Sequence, residues 1–201
     1  MNWQLPDNER TILRELARRQ ADIAALPVME QRRRLWYDLN DGRPGARPPV
    51  IVETATFESE FVPDRVYRCV TETGRLIERQ LLTAIRHHEC LDDDRVISST
   101  FDIGWFVEID EYGVPIGFET AADTTGAKTG YRFLHPIKDL KEDFHLLKPA
   151  ACRVDREKTL AWQAFLSDLL GEFLPVEIRT GAYGYAMLTN SVIRLMGMEA
   201  F

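Results

Sequence analysis

Cysteine is scarce in this chain. Cys69, Cys90 and Cys152 are the whole complement, odd in number and far apart, with no CxxC pair. A disulfide framework or a cysteine zinc site within the chain is therefore not expected, and buried free thiols in a reducing cytoplasm are the plain reading. No apolar run reaches the roughly 18 residues that a membrane span needs. The opening "MNWQLPDNER" lacks a charged start followed by an apolar stretch, so it does not read as a signal peptide. A cytoplasmic protein is the expectation. Basic residues are outnumbered, 25 against 32 acids, for a net charge of -7. General nucleic-acid binding needs clustered Lys and Arg, and the one basic run, Arg32 to Arg34, reads as a solvated helix face. Histidine offers no ligand set. His87 and His88 are adjacent on a helix and point apart. His88 falls on the apolar stripe and reads as a core residue, His135 lies before Pro136 in a loop, and His145 sits on a helix. No internal repeat is visible.

What is present is ordinary globular material: 201 residues, 45% hydrophobic and 28% charged, enough for one core or for part of a larger one. Asp7 caps a helix from Asn8 that carries Ile12, Leu13, Leu16, Ile23 and Leu26. A second helix follows Pro27 and stops at Gly42. "RPPVIVE" (Arg47 to Glu53) reads as a short strand with prolines at its entry. A long helix from Thr73 to Leu91 shows Ile77, Leu81, Ala84 and Ile85 on one face. A strand from Arg95 to Phe101 comes next. Residues 106–119 read as an excursion or hairpin around Tyr112-Gly113, and Ala122 to Gly130 as a mobile loop. "YRFLHP" is extended, and Ile137 to Leu147 helical. Asp155 caps the clearest helix, Arg156 to Leu170, which Gly171 ends. Leu174 to Gly184 is a strand and a Gly-rich turn, and Ala186 to Gly197 a helix.

Strands alternate with helices after residue 94, which argues for a parallel sheet or barrel. The chain divides on this reading into a mainly helical region, 1–92, and a βα region, 93–201. Ligands in parallel α/β proteins sit at the C-terminal ends of strands. Asp102 follows one such strand; Arg179, Tyr183 and Tyr185 follow another. An acid, a cation and two phenols at two strand ends make a candidate polar site. The plain alternative is a helix cap for Asp102 and core places for the tyrosines.

Three successive segments carry a resemblance: "VISSTFDIGWFVEIDEYGVPIGFE", "HPIKDLKEDFHLLK" and "FLPVEIRTGAYGYAMLTNSVIRLMG". In order and spacing they resemble the uroporphyrinogen decarboxylase superfamily, over roughly Arg47 to Phe201. The resemblance implies a (β/α)8 TIM barrel, here partial, with a helical N-terminal extension. Such a barrel typically takes about 250 residues, so the chain reads as its front half. Asp102 matches the family's cleft acid, which contacts the pyrrole NH groups and stabilises positive charge as the ring is protonated. That decarboxylation needs no cofactor.

The family's basic clamp for substrate carboxylates has no counterpart here. Glu53, Glu58 and Glu60 stand in the matching stretch and would repel a polycarboxylate. Corrinoid-linked methyl transfer, or a related small-molecule reaction, is therefore expected ahead of porphyrinogen decarboxylation. That branch of the family uses zinc, a corrinoid and His and Cys ligands from later strands. The implied partners are a small-molecule, tetrapyrrole or corrinoid ligand, a corrinoid protein, or a second copy of the chain in a homo-oligomer. A non-catalytic fragment or assembly module is the reading of a different class; half a barrel would expose strand edges and apolar helix faces, and would either self-associate or be unstable alone.

Overall fold

The computed structural model describes residues 3–110, 112–122, 128–180 and 188–199. Contacts divide the chain into two units, Met1–Gly104 with Glu157–Arg179, and Trp105–Arg156 with Thr180–Phe201.

Apolar residues three and four apart build the first unit. Helix α1 (Asp7–Ala24) buries Leu13, Leu16, Ala17 and Ile23. Asp7 is its first helical residue; Pro6 holds the cap position and no side chain caps it. Asp7 and Glu9 instead set negative charge against the positive end of the helix. Helix α2 (Pro27–Asn40) starts on a proline, whose fixed φ and missing N–H suit a first turn. A short turn of helix, α3 (Glu58–Phe61), buries Phe61. Helix α4 (Glu72–Arg86) is capped by Thr71, whose Oγ1 accepts from Gly74 N at 3.0 Å. Its core face is Ile77, Leu81, Leu82 and Ile85.

Buried carboxylates brace the start of α4. Glu9, fully buried, accepts from Val70 N at 2.7 Å, from Thr71 N at 3.0 Å and from the Thr71 hydroxyl. Burial pushes the Glu9 carboxyl up, but the hydrogen bonds from Thr71 and Val70 outweigh it and hold the group below its usual range. Glu78 accepts from Arg68 N and Cys69 N at 2.9 and 2.8 Å.

Strand β1 (Phe101–Ile103) closes this unit with the last strand, β6 (Val176–Ile178). The two are parallel, with Asp102 opposite Glu177. Phe101 and Ile103 point into the core and Asp102 does not, as strand alternation requires. Helix α6 (Arg156–Leu170) leads into β6 and buries Trp162, Leu166, Leu169 and Leu170. It ends at Gly171, as its sequence predicts.

The second unit is antiparallel. Strand β2 (Phe106–Asp110) pairs with β5 (Ala151–Asp155), and β3 (Gly117–Ala122) with β4 (Lys128–Leu134). The expected hairpin over 106–119 does not form, because β2 takes β5 as its partner. Tyr112 and Gly113 do turn the chain, at φ 63° and 70°. Tyr112 O accepts from Lys148 N at 2.8 Å. The helix expected over 137–147 shrinks to α5 (Leu140–Asp143) and a 3-10 turn. Asp139 caps it, and Asp143 turns back to accept from the Lys138 and Asp139 amides at 2.8 and 3.0 Å. Helix α7 (Leu188–Met196) ends at Gly197, with φ 82°.

The partial (β/α)8 barrel is overturned. The described residues hold six short strands in three two-stranded sheets, and these close no barrel. One parallel pair is all that matches the expected pattern. The strand expected at 47–53 is absent: Pro48 and Pro49 have no N–H to give, and aspartates take the amides of Val50 and Val52. Val50 N donates to Asp94 at 2.8 Å and Val52 N to Asp93 at 2.9 Å. Arg47 clamps the same Asp94 with two bonds of 2.7 Å, which, with the Val50 amide, holds that carboxyl at about 2.

Other expectations fail for local reasons. Arg32 is buried rather than solvated, giving hydrogen bonds to Asp92 at 2.7 Å and to the Arg95 carbonyl at 3.1 Å. Helix α4 runs into a π-helical turn, His87–Leu91, and His87, not His88, is the histidine that enters the core. Cys69 is buried, but Cys90 and Cys152 are exposed. No described helix is long and apolar enough to cross a membrane.

Candidate functional site

Asp102 lies within β1, and β2 follows it, so it caps no helix. The parallel register carries β6 past it, and the next residue on that side is Arg179. Arg179 N donates to Ile103 O at 2.9 Å, which fixes its backbone beside β1. Its Nε then sits 3.0 Å from Asp102 Oδ1, and a terminal nitrogen 3.0 Å from Glu177. The Thr100 hydroxyl donates to the same Asp102 oxygen at 2.6 Å. Gln80, from α4, donates to the Asp102 carbonyl at 2.8 Å. Two of the four expected site residues, Asp102 and Arg179, are thus brought together. Tyr183 and Tyr185 lie outside the described residues.

The carboxylate is only partly covered: the Asp102 side chain is 35% exposed and that of Arg179 57%. A pair this open gives the fold little, roughly 0–1 kcal/mol. Its value lies in placement. Asp102 Oδ2 takes no hydrogen bond from any described residue.

A cleft of about 350 Å³ runs from Asp102 along α4. Gln80, Thr83 and His87 line its helix side, and Arg95, Thr100 and Asp102 the other. This is near the small end of ligand pockets, roughly 300–1,000 Å³. It suits a compact molecule better than a whole macrocycle. A larger depression, about 550 Å³, lies at the start of α4. There Arg75 covers the Tyr67 ring and faces Asp64 at 3.6 Å, and none of the expected residues is present.

His87 closes the far end of the cleft, 2% exposed. Its Nε2 is 3.3 Å from the Thr54 hydroxyl, and the ring packs on Phe61 at 5.0 Å. Nδ1 is 3.5 Å from Asp93 Oδ2 but makes no hydrogen bond. Burial pulls the imidazole below its usual range. The Arg95 charge adds to this, and Asp93 opposes it.

Gln80, Thr83 and His87 were legible as a polar stripe beside the apolar face of α4, at intervals of three and four. Nothing local marked Arg95. Two of the three acids expected to repel a polycarboxylate, Glu53 and Glu58, are engaged. Glu53 accepts from the Thr56 hydroxyl at 2.6 Å and from the Ala55 amide, bonds that hold it below its usual range. Glu58 faces Arg79 at 3.6 Å.

Zinc finds no seat here: among the described residues no group of three or more His, Cys, Asp and Glu is placed to hold a metal ion. No protein-family model, curated protein or solved structure matches this chain.

Proposed function

We propose that the chain binds a compact small molecule in the cleft that ends at Asp102 and acts on it there. The observation that carries this is the placement of Asp102. It is a partly exposed carboxylate in the middle of a short parallel strand pair, with one oxygen held by Thr100 and Arg179 and the other unclaimed. An anion fixed in that way stabilises positive charge that develops on a bound ligand, at no cost of reorganisation. Arg179 and Thr100 fix its direction; Gln80 ties the strand to α4.

Of the activities implied by resemblance to the uroporphyrinogen decarboxylase superfamily, methyl transfer from a small donor to a corrinoid suits these residues best. The size of the cleft supports it, and so do the acids Glu53, Glu58 and Glu60 in the stretch where the family carries its pair of clamping arginines. The corrinoid is then a substrate brought by a partner protein. The zinc of that branch has no ligands among the described residues, so no step is assigned to it. Porphyrinogen decarboxylation is the second reading, favoured by Asp102 alone.

The test is turnover. The chain is mixed with cob(I)alamin and compact methyl donors (methylated thiols, amines and methoxylated phenols), and methylcobalamin is followed by its absorbance. The expected result is transfer from at least one donor, reduced tenfold or more in Asp102→Asn. Carbon dioxide release from a porphyrinogen tetracarboxylate, with no methyl transfer, would favour the second reading. Silence in both assays would leave the non-catalytic reading standing.

A further inference from the structure

Arg95 differs from the other arginines around the cleft. Arg32 is bonded to Asp92, Arg47 to Asp94 and Arg179 to Asp102, and Arg79 faces Glu58. The Arg95 backbone is pinned, its N–H to Asp93 Oδ1 at 3.1 Å and its carbonyl to Arg32 at 3.1 Å. Its guanidinium makes no hydrogen bond among the described residues, and its Nε is buried without a partner. His87, which lines the same end of the cleft, also has a buried nitrogen without a partner, Nδ1. Two orphaned polar atoms in one small space are unusual, because buried polar groups are nearly always hydrogen-bonded.

The nearby acids supply only part of what is missing: Asp93 Oδ2 lies 3.5 Å from His87 Nδ1, too far for a good hydrogen bond, and no acid among the described residues meets the Arg95 guanidinium. Both Asp93 oxygens accept from backbone amides, those of Arg95 and Val52. Glu53 feels the Arg95 charge, but its oxygens are taken by Ala55 and Thr56. The natural partner for a planar guanidinium is a carboxylate, which it meets with two parallel hydrogen bonds.

We propose that this end of the cleft takes the carboxylate of the ligand, with Arg95 as its main partner and His87 Nδ1 as a second donor. The assignment rests on reading the cleft as the ligand site, and it narrows the ligand to an elongated carboxylic acid. Gln80 and His87 are seven residues apart, so the carboxylate end and the Asp102 end are separated by about 10 Å along the helix. A neutral His87 suits the role: when Nε2 accepts from Thr54, Nδ1 carries the proton and donates it to the carboxylate.

Protection from chemical modification tests this on the unaltered chain. Phenylglyoxal is applied with and without glutarate, at ionic strength matched with sodium chloride, and adducts are read peptide by peptide by mass spectrometry. Glutarate is expected to slow modification of Arg95 at least fivefold and leave the exposed Arg18 unchanged. Arg95→Gln should weaken glutarate binding at least tenfold in a titration, with part of the loss restored in Arg95→Lys. Equal rates with and without glutarate would overturn the proposal. So would protection by inorganic phosphate but not by glutarate. Methyl transfer that depends on Asp102 while Arg95 stays unprotected would sink the carboxylate site alone. Protection of Arg95 without turnover of any donor would sink the catalytic reading alone.

Discussion

The two units of this chain spend their apolar residues differently. The first buries Leu13, Leu16, Ile77, Leu81, Ile85, Leu166, Leu169 and Leu170 almost completely, from three helices. Among its described residues the second buries little beyond Ile137 and Leu195, joined by a hydrogen bond from Ile137 N to Leu195 O at 3.1 Å. Its strands leave Ile109, Phe118 and Tyr131 more than 60% exposed. Two-stranded ribbons of this kind are marginal by themselves. The lesson concerns where a site can be held. A carboxylate is positioned to within an ångström only by elements that are themselves packed, and Asp102 belongs to the unit with the core.

The largest expected effect is on amide exchange. Amides of α1, α4 and α6 should exchange orders of magnitude more slowly than those of β2 to β5, since protection follows buried contacts. Mass spectrometry of exchanged peptides checks this; equal protection in the two units would break the comparison. Thiol labelling sharpens it. Cys90 and Cys152 should react in the native chain, one in each unit, while Cys69 waits for unfolding. Burial first, with Glu78 beside it, pushes that thiol up to about 12.

Next comes the brace at the start of α4. Glu9→Ala would strand the Val70 and Thr71 donors in a buried corner and should cost about 3 kcal/mol in denaturant unfolding. Glu108→Ala in the second unit removes an exposed pair with Arg153 and should cost less than about 0.5 kcal/mol. Comparable losses would mean that the second unit has more hidden support than its burial indicates.

A smaller effect is expected from His87. Its folded pKa lies below the unfolded value, so the unfolded chain binds the extra proton first. Stability from this group is full above about pH 6.5, the unfolded value, and falls as pH drops below it. Asp93, Arg95 and Thr54 surround the ring and set the size of the effect. Unfolding midpoints between pH 7.5 and 5.5 should fall for the wild type and fall less for His87→Asn.

The parts of this picture that could be read from the sequence are those fixed by local spacing. The apolar period of α1, α4 and α6 is written in consecutive turns. So are Pro27 at the start of α2 and Gly171 at the end of α6; the strand expected over 95–101 forms only at Phe101–Ile103, so that Asp102 lies within it and not after it. What could not be read depends on partners distant in sequence. Whether residues 47–53 form a strand was decided by Asp93 and Asp94, more than forty residues away. The pairing of β2 with β5 joins Phe106 to Asp155, which no turn signal between 106 and 119 could announce. His88 was expected in the core where His87 in fact sits, and Arg95 drew no reading because what sets it apart is the absence of a partner. The barrel was expected from the order of segments, and order does not fix how strands pair.

The central claim is that Asp102 is held for a ligand and not for the fold. The direct measurement is denaturant unfolding of Asp102→Asn beside its methyl-transfer rate per folded molecule. The account predicts a loss of stability under about 1 kcal/mol, as for an exposed ion pair, with turnover down at least tenfold. A loss of several kcal/mol with turnover per folded molecule unchanged would contradict it and make the Asp102–Arg179 pair a structural clasp.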